Sequence, residues 1–365
     1  MNLEKNYYHF QKGFKRAADT ATGTADRVPV SAQICELLPG EMKVSAKEIF
    51  HNAKLLNIGT FNICDKYGID IPTVELDIYN IEAEAIGQKL RFHDDIMPDI
   101  DRAHSLIQDE SDIKKIVTPD FDTAGRCSLV IDMHNIFEEL TGVNANIAFC
   151  APFSLAANIR GIETLIMDMC LNPKFAHELM TRVTEELLIP WLEYLKKKFP
   201  QTQLFRGDDA LASLPIVNIK IMDEFIAPYV EKLREASGLT VCVPNWTGER
   251  YAKNPEEVMD IRLRANPVYV EGQDPDVEAL GPEFYTAYAE KHDLPLLLGV
   301  GAAFLRAGTP EEVFNRVKHY VKVGGKNGRL WFYLCNIAPG TPMENIKAAV
   351  AAVRKYGTYE TDQAI

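Results

Sequence analysis

Short apolar runs alternate with longer amphipathic segments over most of the chain. The runs are rich in β-branched and aromatic residues, which is typical of buried parallel strands. The amphipathic segments carry apolar residues at helical spacing, and several of them begin with a proline in the first turn. The predicted strands lie at 27–33, 73–77, 145–149, 203–209, 239–243, 267–271, 295–299 and 329–335.

This alternation predicts an α/β fold with a single (β/α)8 TIM-barrel domain over residues 1–365, because parallel strands are joined through helices that cover the sheet. Residues 1–26 are expected to form a helical lead-in, and the charged region 94–144 an excursion outside the core repeat. A doubly wound open sheet is the alternative. The Gly-Val-Gly at 299–301 lacks the third glycine of a dinucleotide fingerprint, and no phosphate-binding GxxxxGK[ST] loop occurs.

Polar side chains stand where the predicted strands end. In a barrel the carboxyl ends of all strands surround one opening, so these side chains are expected to share a site. The candidates are Asp77, Asp208, Asp209, Asn245, Glu271, Cys335 and Asn336. Carboxylates without matching basic groups suit a metal ion, proton transfer or a neutral polar substrate rather than an anionic one. Trp246 and Tyr333 would line either an aromatic pocket or the core.

Charge and composition restrict the partners. A net charge of −13 and a pI near 5.2 argue against nucleic acid and anionic membranes, which require concentrated Lys and Arg. The sequence has neither a signal-peptide core nor an apolar run that could span a membrane. The seven cysteines show no CxxC spacing, which is typical of free thiols in a reducing cytoplasm. No GxSxG or HExxH motif occurs, so hydrolase chemistry lacks its nucleophile or base.

Several motifs resemble those of the uroporphyrinogen decarboxylase superfamily. The carboxyl-terminal ones are Gly-Thr-Pro-Glu-Glu-Val at 308–313 and Leu-Cys-Asn-Ile-Ala-Pro-Gly-Thr-Pro-Met-Glu-Asn-Ile at 334–346. The central ones are Ala-Pro-Phe-Ser-Leu-Ala at 151–156 and Asp-Asp-Ala at 208–210. The resemblance covers roughly residues 27–357. It implies a barrel with the site at its mouth, and either decarboxylation of a tetrapyrrole or methyl transfer to or from a corrinoid bound by a partner protein.

The chain departs from two branches of that superfamily. The segment 27–33 is not followed by the arginines with which the decarboxylase holds propionate groups, although Asp77 matches its strand-end aspartate. The branch that moves a methyl group from a corrinoid to a thiol carries His-x-Cys and a distant Cys as zinc ligands. Here Val243 and Asn245 occupy the first two positions and only Cys335 remains.

A third branch fits the spacing of three residues. The methyltransferase I components of anaerobic O-demethylases, such as those for vanillate and veratrol, carry a proposed zinc motif of this kind. Glu256 and Glu271 are separated by fourteen residues, and Glu271 and His292 by twenty. The resemblance implies transfer of a methyl group from a small aromatic methyl ether, of the guaiacol type, to the cob(I)alamin of a corrinoid protein. In a barrel, however, His292 precedes a strand and belongs to the end opposite Glu271, beyond the ~2 Å reach of zinc bonds.

The reaction needs a group that helps a poor phenolate leaving group depart. The candidates for this acid are Glu271, Asp208 and Asp209, while Asn245 is expected to orient the ether oxygen. Methyl transfer from a methylated corrinoid to a thiol or a pterin, methylamine-type substrates and a non-catalytic barrel are the alternatives. The sequence leaves open whether the chain forms a homodimer.

Overall fold

The computed structural model describes residues 5–74 and 76–359 and shows parallel strands surrounded by helices. None of the helices in this part of the chain is both long and apolar enough to cross a membrane. The strands are β1 (Val30–Ala32), β2 (Leu90–Arg91), β3 (Asp99–Ile100), β4 (Ile147–Cys150), β5 (Phe205–Asp208), β6 (Val241–Cys242), β7 (Val270–Gln273), β8 (Leu296–Gly301) and β9 (Leu330–Cys335). The helices are α1 (Gln11–Thr22), α2 (Leu38–Met42), α3 (Ala46–Ile49), α4 (Ala53–Tyr67), α5 (Ile81–Ala85), α6 (Cys127–Thr141), α7 (Pro152–Arg160), α8 (Ile162–Leu171), α9 (Pro173–Arg182), α10 (Ile189–Lys198), α11 (Ile219–Ile221), α12 (Ala227–Ser237), α13 (Pro255–Ala265), α14 (Asp276–Leu280), α15 (Pro282–Lys291), α16 (Ala302–Ala307), α17 (Pro310–Gly324) and α18 (Met343–Tyr356).

The pairing of the strands brings the two ends of the strand series together. β1 pairs in parallel with β9, so the first and the last strand of the chain are neighbours. β9, β8 and β7 continue this arc, and β4, β5 and β6 form a second parallel arc. Neighbouring first and last strands are expected of a barrel. The predicted barrel is therefore confirmed, and the open-sheet alternative is not.

The predicted strand at 73–77 is wrong for its described residues. The chain instead makes one isolated parallel bridge, from Ile71 to Ser31 of β1. Pro72 follows the bridge residue directly, and a proline has no N–H to donate to a strand ladder. Glu75 lies outside the described residues. Asp77 consequently lies in an irregular segment between the bridge residue Ile71 and α5.

Alternation along the strands separates a packed outer face from a polar lumen. Successive side chains of a strand point to opposite sides of the sheet. In β9, Phe332 and Leu334 are fully buried in the hydrophobic core. Tyr333, between them, is only half-buried and donates a hydrogen bond to the Oε1 atom of Gln33 at 3.1 Å. The side chains that share the face of Tyr333 therefore define the interior of the barrel.

The region 94–144 belongs to the barrel more closely than expected. Its helix α6 packs against α4, where the Nδ2 atom of Asn57 donates to the carbonyl of Met133 at 3.0 Å. Its strand β3 forms a two-stranded antiparallel ribbon with β2. The segment 96–99 reaches the barrel mouth and lines a cavity there. The predicted helical lead-in is present as α1, while residues 1–4 lie outside the described part of the chain.

A buried aspartate ties both ends of the chain to the barrel. Asp70, directly before the bridge residue, accepts hydrogen bonds from Arg16 at 3.3 Å, Arg27 at 2.6 Å and Arg354 at 2.8 Å. It also accepts the backbone N–H of Val30 at 3.0 Å. A buried carboxylate with several charge-assisted partners holds these elements in fixed positions.

We expect Asp70→Asn to lower the free energy of unfolding by about 3 kcal/mol, because it leaves three guanidinium groups without their shared anion. Asp26→Asn is the matched control, since that carboxylate also pairs with Arg16 but its side chain is 62% exposed, against 7% for Asp70. The measurement is urea denaturation of both variants. Equal losses in the two variants would contradict the structural role of Asp70.

Candidate functional site

An ion pair lies inside the barrel on β5. Arg206 and Asp208 are two residues apart and therefore share the lumen face of the strand. The Nη2 atom of Arg206 donates to the Oδ1 atom of Asp208 at 2.7 Å. Burial raises the pKa of the Asp208 carboxyl, and the neighbouring guanidinium opposes that effect. Asp208 thus lies where the sequence predicts a site residue, but it is paired with a cation that the prediction did not include.

Glu271 on β7 faces the same ion pair. It is 4% exposed, and its carboxylate receives no hydrogen bond from the described residues. Burial raises the pKa of Glu271; Arg206 and Arg262 oppose this effect, and the negative charge of Asp208 adds to it. A buried carboxyl with a raised pKa and no fixed donor is suited to hold and release a proton. The prediction that Glu271 points into the barrel agrees with this position.

Asp209 contacts a different part of the structure from Asp208. Its carboxylate accepts the backbone N–H of Ser154 at 2.6 Å, in the first turn of α7, and the indole N–H of Trp246 at 3.3 Å. Burial raises the pKa of Asp209 to about 7. Trp246 is fully buried, so it offers no exposed ring to a substrate. These two predicted site residues serve to join α7 to the segment after β6.

Asn245 positions a tyrosine. Its Oδ1 atom accepts the backbone N–H of Asp209 at 2.8 Å, and its Nδ2 atom donates to the hydroxyl oxygen of Tyr79 at 3.1 Å. The same hydroxyl oxygen accepts the N–H of Ala210 at 3.3 Å. Burial, and then the charge of Asp208, raise the pKa of Tyr79 well above its usual range. Both ends of the Asn245 amide are therefore occupied by the protein itself.

Asp77 is neutralised by an arginine. Its two carboxylate oxygens accept hydrogen bonds from Arg126 at 2.8 Å and 2.6 Å, and Asn80 donates to it at 2.9 Å. Arg126 also pairs with Glu84 at 2.7 Å. The interpretation that the strand-end carboxylates have no matching basic groups is wrong, because Arg126 and Arg206 come from positions that the strand-end pattern does not mark.

A cavity of about 290 Å³ opens at the mouth of the barrel. It lies beside Tyr79 and close to the polar lumen. Its size is near the lower end of pockets that bind small organic molecules. Its lining consists of Gln33, Glu36, Leu76, Asp77, Ile78, Tyr79, Asn80, Ile96, Met97, Pro98, Asp99 and Pro339.

The end of β9 packs closely against this site. A Cβ atom at Gly299 of β8 would lie 2.4 Å from the Sγ atom of Cys335, so a side chain there would have to displace the thiol. Burial raises the pKa of the Cys335 thiol well above its usual range, and the charge of Glu271 adds to this. Asn336 adopts a left-handed backbone conformation with φ of 50° and donates to the Oε1 atom of Glu36 at 2.8 Å.

The predicted zinc ligands do not converge. Glu256 begins α13 at the surface, where it pairs with Lys291. His292 follows α15, and its ring lies 4.5 Å from that of Tyr288. The carboxylate of Glu271 faces the lumen instead. In residues 5–74 and 76–359 no three His, Cys, Asp or Glu side chains are arranged to hold a metal ion, so the spacing of Glu256, Glu271 and His292 does not form a zinc site in this fold.

Two functional candidates are absent from the residues that the sequence predicts. Arg206 lies two residues before Asp208. This spacing could have identified it from the sequence, because residues two apart share one face of a strand.

Glu82 on α5 gave no signal in the sequence beyond helix propensity, yet it is fully buried. Its Oε1 atom accepts the N–H of Cys150 at 3.2 Å and of the Trp191 indole at 3.1 Å, while its Oε2 atom has no partner among the described residues. Burial raises the pKa of Glu82 to about 8.

Comparisons with known proteins connect the chain to a family. The family model described as Uroporphyrinogen decarboxylase (URO-D) matches residues 12–356. The chain is 23% identical over 311 residues to a protein of Methanosarcina mazei named Methylated-thiol--coenzyme M methyltransferase, covering 82% of this chain and 76% of that protein. A solved structure described as a methyltransferase from Methanosarcina mazei superposes with a TM-score of 0.75 at 17% identity, covering 96% of this chain and 99% of the other. The structural similarity confirms the predicted fold.

Glu82 generates a test of stability against pH. A carboxyl whose pKa is raised in the folded protein binds more protons there than in the unfolded chain, so its contribution to stability falls as pH rises from ~4.3 towards about 8. We expect Glu82→Gln to flatten the decline of the free energy of unfolding between about pH 5 and about pH 8, by an amount on the order of a few kcal/mol. Part of the slope remains, because the pKa of Asp209 is also raised.

The measurement is urea denaturation at several pH values. Glu139→Gln, at an exposed position of α6, controls for the introduction of an amide. A wild-type slope that Glu82→Gln leaves unchanged would show that Glu82 does not hold its proton in the folded protein.

Proposed function

The chain belongs to the uroporphyrinogen decarboxylase (URO-D) family, and we propose that it is a corrinoid-dependent methyltransferase. In this proposal the enzyme moves a methyl group from a small aromatic methyl ether, of the guaiacol type, to the cob(I)alamin of a partner corrinoid protein. The observation that carries the proposal is Glu271, a buried carboxyl on β7 without a hydrogen-bond donor among the described residues. The charge of Asp208 acts both on Glu271 and on Tyr79, which lines the mouth cavity, so the two sites are neighbours.

The shape and lining of the mouth cavity suit a single substituted ring. Tyr79, Met97 and Leu76 supply aromatic and apolar surface. Asn245 fixes the hydroxyl of Tyr79 and so holds its ring in place. Since the amide of Asn245 is occupied, we assign it to positioning Tyr79 rather than to contact with the ether oxygen.

The proposed chemical step uses Glu271 as a general acid. The corrinoid supplies the nucleophile for the methyl group when the partner protein is docked. As the bond between the methyl carbon and the ether oxygen breaks, Glu271 donates its proton to that oxygen, so that a phenol leaves instead of a phenolate. Arg206 and Asp208 lie beside it and set the local field: the guanidinium favours the ionised form of Glu271, and the Asp208 carboxylate favours the protonated form.

Exposed apolar side chains support docking of a partner at the mouth. Ile96, Ile216, Tyr251 and Met343 are exposed. Ile96 lines the mouth cavity itself, and the other three lie in segments that follow β5, β6 and β9. Because the carboxyl ends of the barrel strands share one end of the molecule, we expect these side chains to lie around the opening through which the corrinoid would approach.

Transfer involving a methylated thiol is the second candidate. It is favoured by the name of the related Methanosarcina mazei protein. The sulfur of a methylated thiol, like the oxygen of an aryl ether, departs more readily when it receives a proton. Glu271 would therefore act in the same way, as a general acid. Decarboxylation of a tetrapyrrole is disfavoured, because a polyanionic substrate would meet the carboxylates of Glu36, Asp77 and Asp99 in the cavity lining.

We expect Glu271→Gln to lower the rate of methyl transfer roughly 10²- to 10³-fold, since the amide keeps the shape of the side chain but has no acidic proton. The assay follows methylcobalamin absorbance with cob(I)alamin and guaiacol, and in parallel with dimethyl sulfide, which distinguishes the two donor candidates. In the wild type the rate should fall as pH rises through the pKa of Glu271, because the general acid must be protonated, and this decline should be absent in the variant.

Glu256→Gln is the matched control. A zinc site built from Glu256, Glu271 and His292 would make this variant as inactive as Glu271→Gln, whereas the separation of these residues in the structure leads us to expect a near-normal rate. Near-normal turnover by Glu271→Gln, with unchanged thermal stability, would refute the assignment of the acid.

A further inference from the structure

The lining of the mouth cavity carries negative charges that the positive charges of the described residues do not fully balance. Three carboxylates, those of Glu36, Asp77 and Asp99, contribute to its lining, and its described lining contains no Lys, Arg or His. Asp77 is neutralised by Arg126 at 2.6 Å and Asp99 by Arg102 at 3.0 Å. Glu36 forms no ion pair with a described residue. The cavity therefore contains one carboxylate whose charge the described residues leave uncompensated.

Asn336 holds Glu36 in place. Its Nδ2 atom donates to the Oε1 atom of Glu36 at 2.8 Å, across 300 positions of sequence. The Oδ1 atom of Asn336 is buried and has no donor among the described residues. Its left-handed backbone, with φ of 50°, is uncommon for a residue other than glycine and is a feature that clusters at functional sites. Asn336 therefore fixes one carboxylate oxygen of Glu36 and supplies no positive charge to it.

The rest of the cavity is compatible with a positively charged group. The ring of Tyr79 and the thioether of Met97 line it, and the face of an aromatic ring attracts cations. A carboxylate or sulfonate placed in this cavity would find no cationic side chain in its described lining and would be repelled by Glu36.

We infer that the mouth cavity selects the methyl donor by charge, with Glu36 as the specificity-determining residue. Donors that carry an ammonium group bind most tightly, neutral donors bind less tightly, and donors that carry a carboxylate or sulfonate are excluded. The inference rests on the proposed function only for the identity of the donor, since the charge selection follows from the cavity itself.

The test measures binding by titration calorimetry without any corrinoid, so that it does not depend on catalysis. One ligand series is 4-hydroxy-3-methoxybenzylamine, the corresponding benzyl alcohol and vanillate, which share a ring and a methoxy group and differ in charge. A second series is 2-(methylthio)ethylamine, 2-(methylthio)ethanol and 2-(methylthio)ethanesulfonate. In the series that matches the natural donor, we expect the amine to bind more tightly than the alcohol and the anion to bind least.

The variant Glu36→Gln keeps the Oε1 acceptor for Asn336 and removes the charge. We expect it to weaken binding of the amine roughly five- to tenfold and to strengthen binding of the anion. The preference of the wild type should also shrink at high salt. Glu48→Gln, at an exposed position that does not line the cavity, removes one negative charge and should leave the order of affinities unchanged.

The outcomes separate the two proposals. A preference for the amine in the thioether series alone supports the charge selection and overturns the aromatic ether as donor. If neither series shows a preference for the amine, the charge selection is overturned, whichever methyl donor the enzyme uses. Affinities of the amine and the anion that Glu36→Gln leaves unchanged overturn the role of Glu36.

Discussion

The arrangement of the lumen depends on one half-buried guanidinium. Arg206 projects into the barrel from β5, and a charge partly removed from water requires compensation close by. Asp208 supplies it at 2.7 Å, which leaves Glu271 near the cation but not bonded to it. Burial raises the pKa of Glu271 and of Asp208, and Arg206 opposes this effect for both carboxyls. Because the hydrogen bond from Arg206 goes to Asp208, Glu271 lacks a fixed donor and its protonated form is favoured by burial.

The barrel supplies the geometry that such a cluster needs. Rigid parallel strands, each packed on its outer face against helices, carry the charged side chains at fixed heights in the lumen. The loops at the mouth carry the groups that shape the mouth cavity, including Tyr79 and Glu36. In our proposal, strand residues carry out proton transfer and loop residues select the methyl donor.

The chain shares its barrel with the family, whereas the residues that line its cavity are free to differ from those of its relatives. The family match covers nearly the whole chain and the barrel superposes on that of a methyltransferase. The identity of 23% to the named relative leaves the lining of the cavity free to differ. The lining of this cavity is acidic, with Glu36, Asp77 and Asp99 among its residues.

The sequence by itself determined the barrel and the presence of acidic groups at its mouth, because strand periodicity and strand-end position are local properties of the chain. Only the tertiary structure decided their partners, since those come from distant positions: Arg126 for Asp77, and Asn336 for Glu36. For the same reason the spacing of Glu256, Glu271 and His292 wrongly predicted a zinc site. Glu256 forms an ion pair at the surface and does not reach the other two residues. Local pattern fixes which side chains are available, and packing fixes which of them meet.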